Sequence, residues 1–267
     1  GPHDRPLRKY PEVAMTADDN SSTSGYIAST STSPLLSTGG SGDYASYFAF
    51  LVFNQRFGIT FNAWHSSDDY DTSSGSYNGA DPSLGRTTID NTNYDGHYIQ
   101  LQLPNRIKLS YLTLRPQYDA TSGSQWHTRL PKDFIVFGSI DGSNWNIVKS
   151  ISGLTGTESV DSRANINSVE YYNYFRLLVT KNGGNAYTTI GELEYYGHEE
   201  GDSSLDTTLK SVYNVPGTQQ LEVYYDAKDL TAMPATVTDL AGGDQNGAVT
   251  GATLDETGGI NSFAFNG

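Results

Sequence analysis

The 267-residue sequence contains no cysteine and only two methionines. Without thiols, the chain cannot form a disulfide framework, a thiolate zinc or iron–sulfur site, or a cysteine nucleophile. Long apolar runs are also missing. The longest, Tyr47–Phe53, has the length of a buried strand and falls far short of the ~20 residues that a membrane-spanning helix needs. The sequence therefore predicts no transmembrane segment.

Basic side chains are scarce. Lysine and arginine number 16 against 30 acidic residues, so the net charge is −14 at pH 7. A nucleic-acid-binding protein needs a basic face to neutralise phosphates, whereas the negative electrostatic field of this chain repels polyanions. We therefore expect no nucleic-acid partner, while carbohydrate, cationic or divalent-metal partners remain open.

Aromatic residues and glycine are abundant, with 19 Tyr, 10 Phe and 28 Gly, whereas charged residues make up only 17% of the chain. This composition is typical of aromatic-rich strands joined by small polar turns. Tyr98–Leu103 alternates apolar and polar residues, which predicts a half-buried strand. A turn at Pro104-Asn105 followed by Ile107–Leu114 predicts a hairpin, and Asp141-Gly142 is the strongest turn signal. The sequence thus predicts an all-β fold.

Composition also divides the chain. Residues 1–15 form a basic, proline-containing segment that predicts an extended arm, and residues 16–198 carry strand and turn signals at sandwich spacing. Residues 199–209 predict a soft acidic linker, and residues 210–267 predict an incomplete β-domain. Two long polar stretches in the second zone, residues 66–95 and 117–129, are candidate binding loops.

The order and spacing of several short motifs in residues 16–198 carry a resemblance. The motifs are Ala63–Ser67, Tyr98–Leu103, Leu130–Phe134, Gly138–Trp145, Tyr174–Leu177 and Ile190–Gly197. Together they resemble the discoidin domain, also known as the coagulation-factor type C domain or carbohydrate-binding module family 32. The resemblance implies an eight-stranded jelly-roll β-sandwich. It also implies a lectin-like binding module without catalysis, whose loops at one pole grip sugars, collagen or lipid head groups.

Two further resemblances are more local. The segments Lys9–Thr16 and Tyr70–Tyr77 are similar to versions of this domain in structural proteins of large DNA viruses. The segments Tyr224–Ala227 and Asp239–Gly247 are similar to the start of a laminin-G or concanavalin-like domain. They imply an extracellular or virion-surface location and a role in cell adhesion.

Sugar recognition needs an aromatic platform and a few fixed polar groups. Trp126, His127 and Arg129 supply these groups within one predicted loop, and Arg115 stands at the end of a strand nearby. The alternative is that Trp126 anchors the loop to the core and His127 is merely solvated.

Three more residues are candidates for the same site. His65 follows Trp64. The apolar bulk of Trp64 and the resemblance both assign that tryptophan to the core. Tyr70 lies in an acidic loop that can supply hydroxyl-binding groups, and Tyr187 lies in a glycine-rich loop before the last strand.

Calcium is the cofactor that the resemblance implies, through an Asp-Gly-Asn-type loop and a glutamate near the C-terminal strand. Glu192 matches that glutamate, and Asn54 and Thr60 stand at ligand positions of the loop. The loop itself, residues 53–62, departs from the pattern because it has no Asp, contains Arg56 and is longer. Hard oxygen ligands at six to eight positions are what calcium requires.

No catalytic residues are predicted, because no nucleophile-elbow, HExxH or phosphate-binding glycine motif occurs. The sequence therefore predicts a non-enzymatic module that binds a glycan or polysaccharide on an exposed structural protein, such as a virion surface protein. Two alternatives remain open. One is a capsid or scaffold assembly module that contacts neighbouring structural protein subunits through its basic arm. The other is the ancillary domain of a glycosidase.

Overall fold

Strands are the dominant regular elements of the computed structural model. It describes residues 7–32, 48–59, 62–79, 85–119, 124–156, 161–202, 232, 234–237, 247–250, 252–255 and 262–265. Among these residues there is no α-helix, and neither of the two short 3-10 helices is long and apolar enough to span a membrane. The all-β prediction is confirmed.

The elements follow in chain order. The strands are β1 (Arg8–Tyr10), β2 (Asp19–Asn20), β3 (Tyr26–Thr30), β4 (Trp64–His65), β5 (Arg86–Ile89), β6 (Thr92–Asp95), β7 (His97–Arg115), β8 (Tyr118–Asp119), β9 (Ser124–Gln125), β10 (Pro131–Ser139), β11 (Asn146–Ile151), β12 (Ser162–Asn165), β13 (Tyr172–Asn182), β14 (Thr189–Ile190), β15 (Glu192–Glu199), β16 (Thr236–Val237), β17 (Gly247–Ala248), β18 (Ala252–Asp255) and β19 (Ser262–Phe265). The 3-10 helices are η1 (Ala49–Phe53) and η2 (His127–Arg129).

The long strand β7 joins two sheets. Its first half pairs antiparallel with β3 and β13, and its second half pairs with β15 and β12. The predicted hairpin at Pro104-Asn105 is therefore wrong, because the two halves bond to different neighbours instead of to each other. Residues 104–106 are exposed, and in such a stretch the missing N–H of Pro104 is tolerated.

The two sheets pack face to face. The first sheet contains β2, β3, the first half of β7, β13, β10 and β11, and the second contains β1, β15, the second half of β7 and β12. Leu101 and Phe175 from the first sheet are fully buried in one cluster with Leu112 and Tyr195 from the second. The ring centroids of Phe175 and Tyr195 lie 5.7 Å apart. The fold is thus a β-sandwich with one shared core.

The N-terminal segment belongs to this sandwich. β1 pairs with β15, and Tyr10 and Met15 are buried in the core. Lys9 Nζ donates to Glu194 Oε1 at 3.2 Å, so a positive charge expected on a free arm is paired within the chain. Residues 1–6 lie outside the described part. The domain boundary predicted at residue 16 therefore falls inside the sandwich. The assembly alternative assumed a free basic arm, and residues 8–15 do not form one.

Two predicted local structures differ from the observed ones. The apolar run that predicts a strand forms η1 instead, with Val52 and Phe53 fully buried. Periodicity does not distinguish strand from helix in so short an apolar run. The polar stretch 66–95 is only partly loop, because β5 and β6 form a hairpin whose Ile89 and Tyr94 pack against Phe137 on the outer face of the first sheet.

The chain divides into two compact units, Pro6–Gly201 and Asp202–Gly267 with Gly1–Arg5. In the second unit, β16 pairs with β17 and β18 pairs with β19. The segment Tyr224–Ala227 and most of Asp239–Gly247, which carry the resemblance to a laminin-G-like domain, lie outside the described residues. The linker and the laminin-G-like domain stay predictions.

Candidate functional site

The turn before β10 is fixed by its own backbone. Trp126 N–H donates to the carbonyl of Gln117 at 2.9 Å, and the Arg129 N–H donates to the carbonyl of Trp126 at 3.0 Å. These bonds form the single turn η2, which holds Trp126 and Arg129 at one end of the sandwich. Trp126 and Arg129 are half-buried, and His127 between them is exposed.

His65 reaches the same place through β4. Trp64 is fully buried and donates its indole N–H to the carbonyl of Thr32 at 3.0 Å, which confirms its core role. β4 pairs with β14, with His65 opposite Thr189. His65 thereby lies beside the loop that carries Tyr187, and the centroids of the two rings are 4.7 Å apart.

Asn182 shapes the Tyr187 loop, and the sequence reasoning missed it. Its side chain is fully buried and donates to the carbonyls of Asn185 and Tyr187, both at 2.8 Å. Its Oδ1 accepts the backbone N–H groups of Gly184 and Asn185. The signal was present, since Asn followed by two glycines favours a turn closed by the asparagine side chain.

The Tyr187 loop and η2 are locked together. A Cβ atom on Gly183 would lie 2.9 Å from the Thr128 Cα, so only glycine permits this approach. Thr188 Oγ1 also donates to the carbonyl of Arg129 at 2.9 Å. The relative position of Arg129 and Tyr187 is therefore fixed by one close backbone approach and one hydrogen bond from a side chain to the backbone.

Trp126, Arg129, Tyr187 and His65 form what we call the aromatic–arginine cluster. The guanidinium carbon of Arg129 lies 4.0 Å from the Trp126 ring centroid and 5.5 Å from that of Tyr187. Such cation–π contacts are worth about 0.5–2 kcal/mol each. Four of the seven predicted ligand-binding residues, from three separate segments, thus meet at one place, and His127 lies in the same turn.

Burial keeps His65 neutral. Its pKa falls to about 4, first because of desolvation and then because of the nearby Arg129 charge. His65 Nδ1 lies 2.7 Å from the carbonyl of Ser66, so the neutral ring carries its proton on Nδ1 and donates there. Nε2 is then a hydrogen-bond acceptor at neutral pH. The cluster therefore combines ring faces, guanidinium donors and an imidazole acceptor.

Arg115 does not join the cluster. Leu114 faces the core, so strand alternation places Arg115 on the outer face of the second sheet. There its Nε donates to Asp161, and its guanidinium carbon lies 4.4 Å from the Phe57 ring centroid. It lines a cleft of about 220 Å³ that we call the outer cleft. The outer cleft is also lined by Lys9, Gln55, Thr113, Glu192 and Glu194.

Tyr70 does not join the cluster either. It is 3% exposed and belongs to the core. Its hydroxyl donates to the carbonyl of Val179 at 2.9 Å and accepts the backbone N–H of His97 at 3.2 Å. Tyr70 therefore ties its loop to β7 and β13, and its hydroxyl is not presented at a surface.

The residues predicted to bind calcium do not surround one point. Asn54 Oδ1 accepts the Arg56 N–H at 3.0 Å, and Thr60 lies outside the described residues. Glu192 is 7% exposed, its carboxylate faces the Gln55 N–H, and burial raises its pKa to about 8. In the described part of the chain, no three His, Asp or Glu side chains are grouped to hold a metal ion. The side chains that are present fit calcium poorly, because the ion demands converging oxygens.

Comparison with known proteins gave matches among solved structures. No protein-family profile matches the chain, and no curated protein does. The C-terminal domain of a chitobiase from Bacteroides fragilis is 19% identical with a TM-score of 0.44, over 66% of this chain and 95% of that one. The F5/8 type C domain of another B. fragilis protein is 14% identical with a TM-score of 0.42, over 69% and 97%.

The family 32 CBM of Clostridium perfringens NanJ, in complex with galactose, is 13% identical with a TM-score of 0.40, over 64% of this chain and 93% of that one. The descriptions of two of these neighbours, the F5/8 type C domain and the family 32 CBM, name the domain type that the sequence resembles. At such identities and TM-scores no ligand and no site residue transfers from them to this chain.

Proposed function

We propose that residues 6–201 form a non-catalytic glycan-binding module with the aromatic–arginine cluster as its site. The observation that carries the proposal is the convergence of Trp126, Arg129, Tyr187 and His65 at one end of the sandwich. These residues come from three separate segments of the chain.

The chemistry of the cluster suits a sugar. Aromatic ring faces bind the apolar C–H face of a pyranose, and a few fixed polar groups select its hydroxyls. Arg129 supplies planar N–H donors, and neutral His65 supplies an acceptor at Nε2. Because Arg129 is cationic, the same site also suits a sugar that carries one carboxylate.

The finer form of the proposal places the module on an exposed extracellular or virion-surface protein that attaches to host polysaccharide. Its support is the resemblance of Lys9–Thr16 and Tyr70–Tyr77 to viral versions of the domain. A role as the ancillary domain of a glycosidase is the alternative, and the sequence of the full-length gene decides between them.

A glycan array probed with the full 267-residue chain tests the proposal. The array includes galactose, N-acetylgalactosamine and sialylated glycans, and the variants are Trp126→Ala and Tyr111→Ala. Tyr111 is a matched control, because it is a half-buried tyrosine on the outer face of the second sheet. We expect the wild type and Tyr111→Ala to bind the same glycans and Trp126→Ala to lose them.

Thermal melts of all three proteins accompany the array, so that misfolding is not mistaken for loss of binding. Equal binding by a folded Trp126→Ala protein would refute the site. Absence of binding to every glycan by the wild type would refute the function.

A further inference from the structure

An amide nitrogen lies at the centre of the loop where the resemblance implies a calcium ion. Nδ2 of Asn62 lies 2.6 Å from the carbonyl oxygen of Arg56, 3.3 Å from that of Leu51 and 3.3 Å from Oδ1 of Asn54. Three oxygens, one from η1 and two from the loop that follows it, therefore point at a single donor. We call this arrangement the amide nest.

The side-chain amides of Asn54 and Asn62 bond to each other in both directions. Nδ2 of Asn54 donates to Oδ1 of Asn62 at 2.6 Å, while Oδ1 of Asn54 also accepts the Arg56 N–H at 3.0 Å. Gln55 has a φ of 56°, in the left-handed region, and this tight turn brings the following residue back toward Asn54. The loop is thus closed on itself by side-chain amides.

Converging oxygens require a positive group between them. Oxygen atoms that point at one place repel one another unless a donor or cation lies between them. A calcium ion satisfies such oxygens when six to eight of them approach to about 2.3–2.6 Å. The NH₂ group of asparagine, with two donor hydrogens, satisfies a smaller set without any ion.

We propose that the side-chain amide of Asn62 occupies the place of a calcium ion and closes the loop between η1 and β4 without metal. The proposal accounts for the departures of residues 53–62 from the calcium-binding pattern. The loop needs no aspartate, because its centre is a neutral donor instead of a divalent ion. Arg56 is tolerated because it meets the nest through its backbone N–H and carbonyl, and the residue itself is exposed.

Thermal unfolding of the full chain, measured with millimolar CaCl₂ and with EDTA, tests the proposal. The variants are Asn62→Ala, which removes the donor, and Asn78→Ala, a matched control at an exposed asparagine. We expect the wild type and Asn78→Ala to melt at the same temperature in both solutions. We expect Asn62→Ala to melt roughly 3–10 °C lower in both solutions, because the carbonyls of Leu51 and Arg56 lose this donor and Nδ2 of Asn54 loses its acceptor.

A calcium-dependent rise of several degrees in the wild-type melting temperature would overturn the proposal, and so would an Asn62→Ala protein that melts like the wild type. If Asn62→Ala fails to fold, calorimetric titration of CaCl₂ into the wild type still decides, since heat of binding at micromolar calcium would contradict an amide-closed loop. None of these outcomes depends on whether the aromatic–arginine cluster binds a glycan.

Discussion

Two arginines that are near in sequence lie in opposite chemical environments. Arg129 lies over the rings of Trp126 and Tyr187, whereas Arg115 lies in the outer cleft bonded to Asp161. In the outer cleft, carboxylates and cations neutralise one another within the chain. Both guanidinium groups lie over aromatic rings, that of Arg115 over Phe57 and that of Arg129 over Trp126 and Tyr187. The cluster therefore offers a ligand more ring surface, whereas the outer cleft consists mainly of internal ion pairs.

Among the substitutions that test this difference, we expect Gly183→Val to have the largest effect on glycan binding and stability. Its Cβ would lie 2.9 Å from the Thr128 Cα, which forces η2 and the Tyr187 loop apart. We expect glycan binding to be lost and stability to fall by about 1–3 kcal/mol. Glycan titration and urea unfolding measure the two effects. A fully binding Gly183→Val protein would show that the cluster geometry does not matter.

The next prediction distinguishes the roles of Arg129 and Arg115 in glycan binding. Arg129→Lys keeps the charge but loses the planar stacking on Trp126, so we expect glycan affinity to fall about 2- to 30-fold. Arg115→Lys, the matched control in the outer cleft, should bind like the wild type. Calorimetric titration of one array hit into both proteins measures the difference. Equal losses in the two variants would remove the distinction between the regions.

A further effect concerns the stability of the fold as pH falls. The pKa of His65 is about 4 in the fold, below its ordinary value of 6.5, so the unfolded chain takes up the proton first as pH falls. Stability is therefore lost between about pH 6.5 and 4, by about 1–3 kcal/mol. His65→Gln should flatten this part of the urea-unfolding profile. An unchanged slope would mean that His65 is not held neutral.

The smallest effect belongs to Arg115→Ala. Its ion pair with Asp161 is about one-third exposed, so we expect a change in the free energy of unfolding of less than about 1 kcal/mol and no change in glycan affinity. Urea unfolding at low and high salt measures it. A loss above 2 kcal/mol would show that the outer cleft stabilises the sandwich far more than a surface ion pair does.

Much of the site could be predicted from residue types and motif order. Residue types and loop positions assign Trp126, His65 and Tyr187 to one candidate site, and in the structure these three side chains lie together with Arg129. Arg115 could have been excluded by alternation alone, since Leu114 next to it is a core residue.

Other features depend on contacts that a local pattern does not show. Tyr70 lies in an acidic loop that indicates exposure, but its hydroxyl bonds to Val179, which is 109 positions away. The hairpin predicted at Pro104-Asn105 failed for a similar reason, because β7 takes different partners on its two sides. The role of Asn62 also depends on how the chain turns to bring the oxygens of Leu51, Asn54 and Arg56 to one place.

Acrylamide quenching of tryptophan fluorescence tests the central claim most directly. Trp64 is fully buried and Trp145 is 8% exposed, so of the three tryptophans Trp126 is the most accessible. We expect a saturating glycan to lower the quenching of the wild type to the level of Trp126→Phe. A glycan that binds by calorimetry and leaves the quenching unchanged would show that it binds away from the aromatic–arginine cluster.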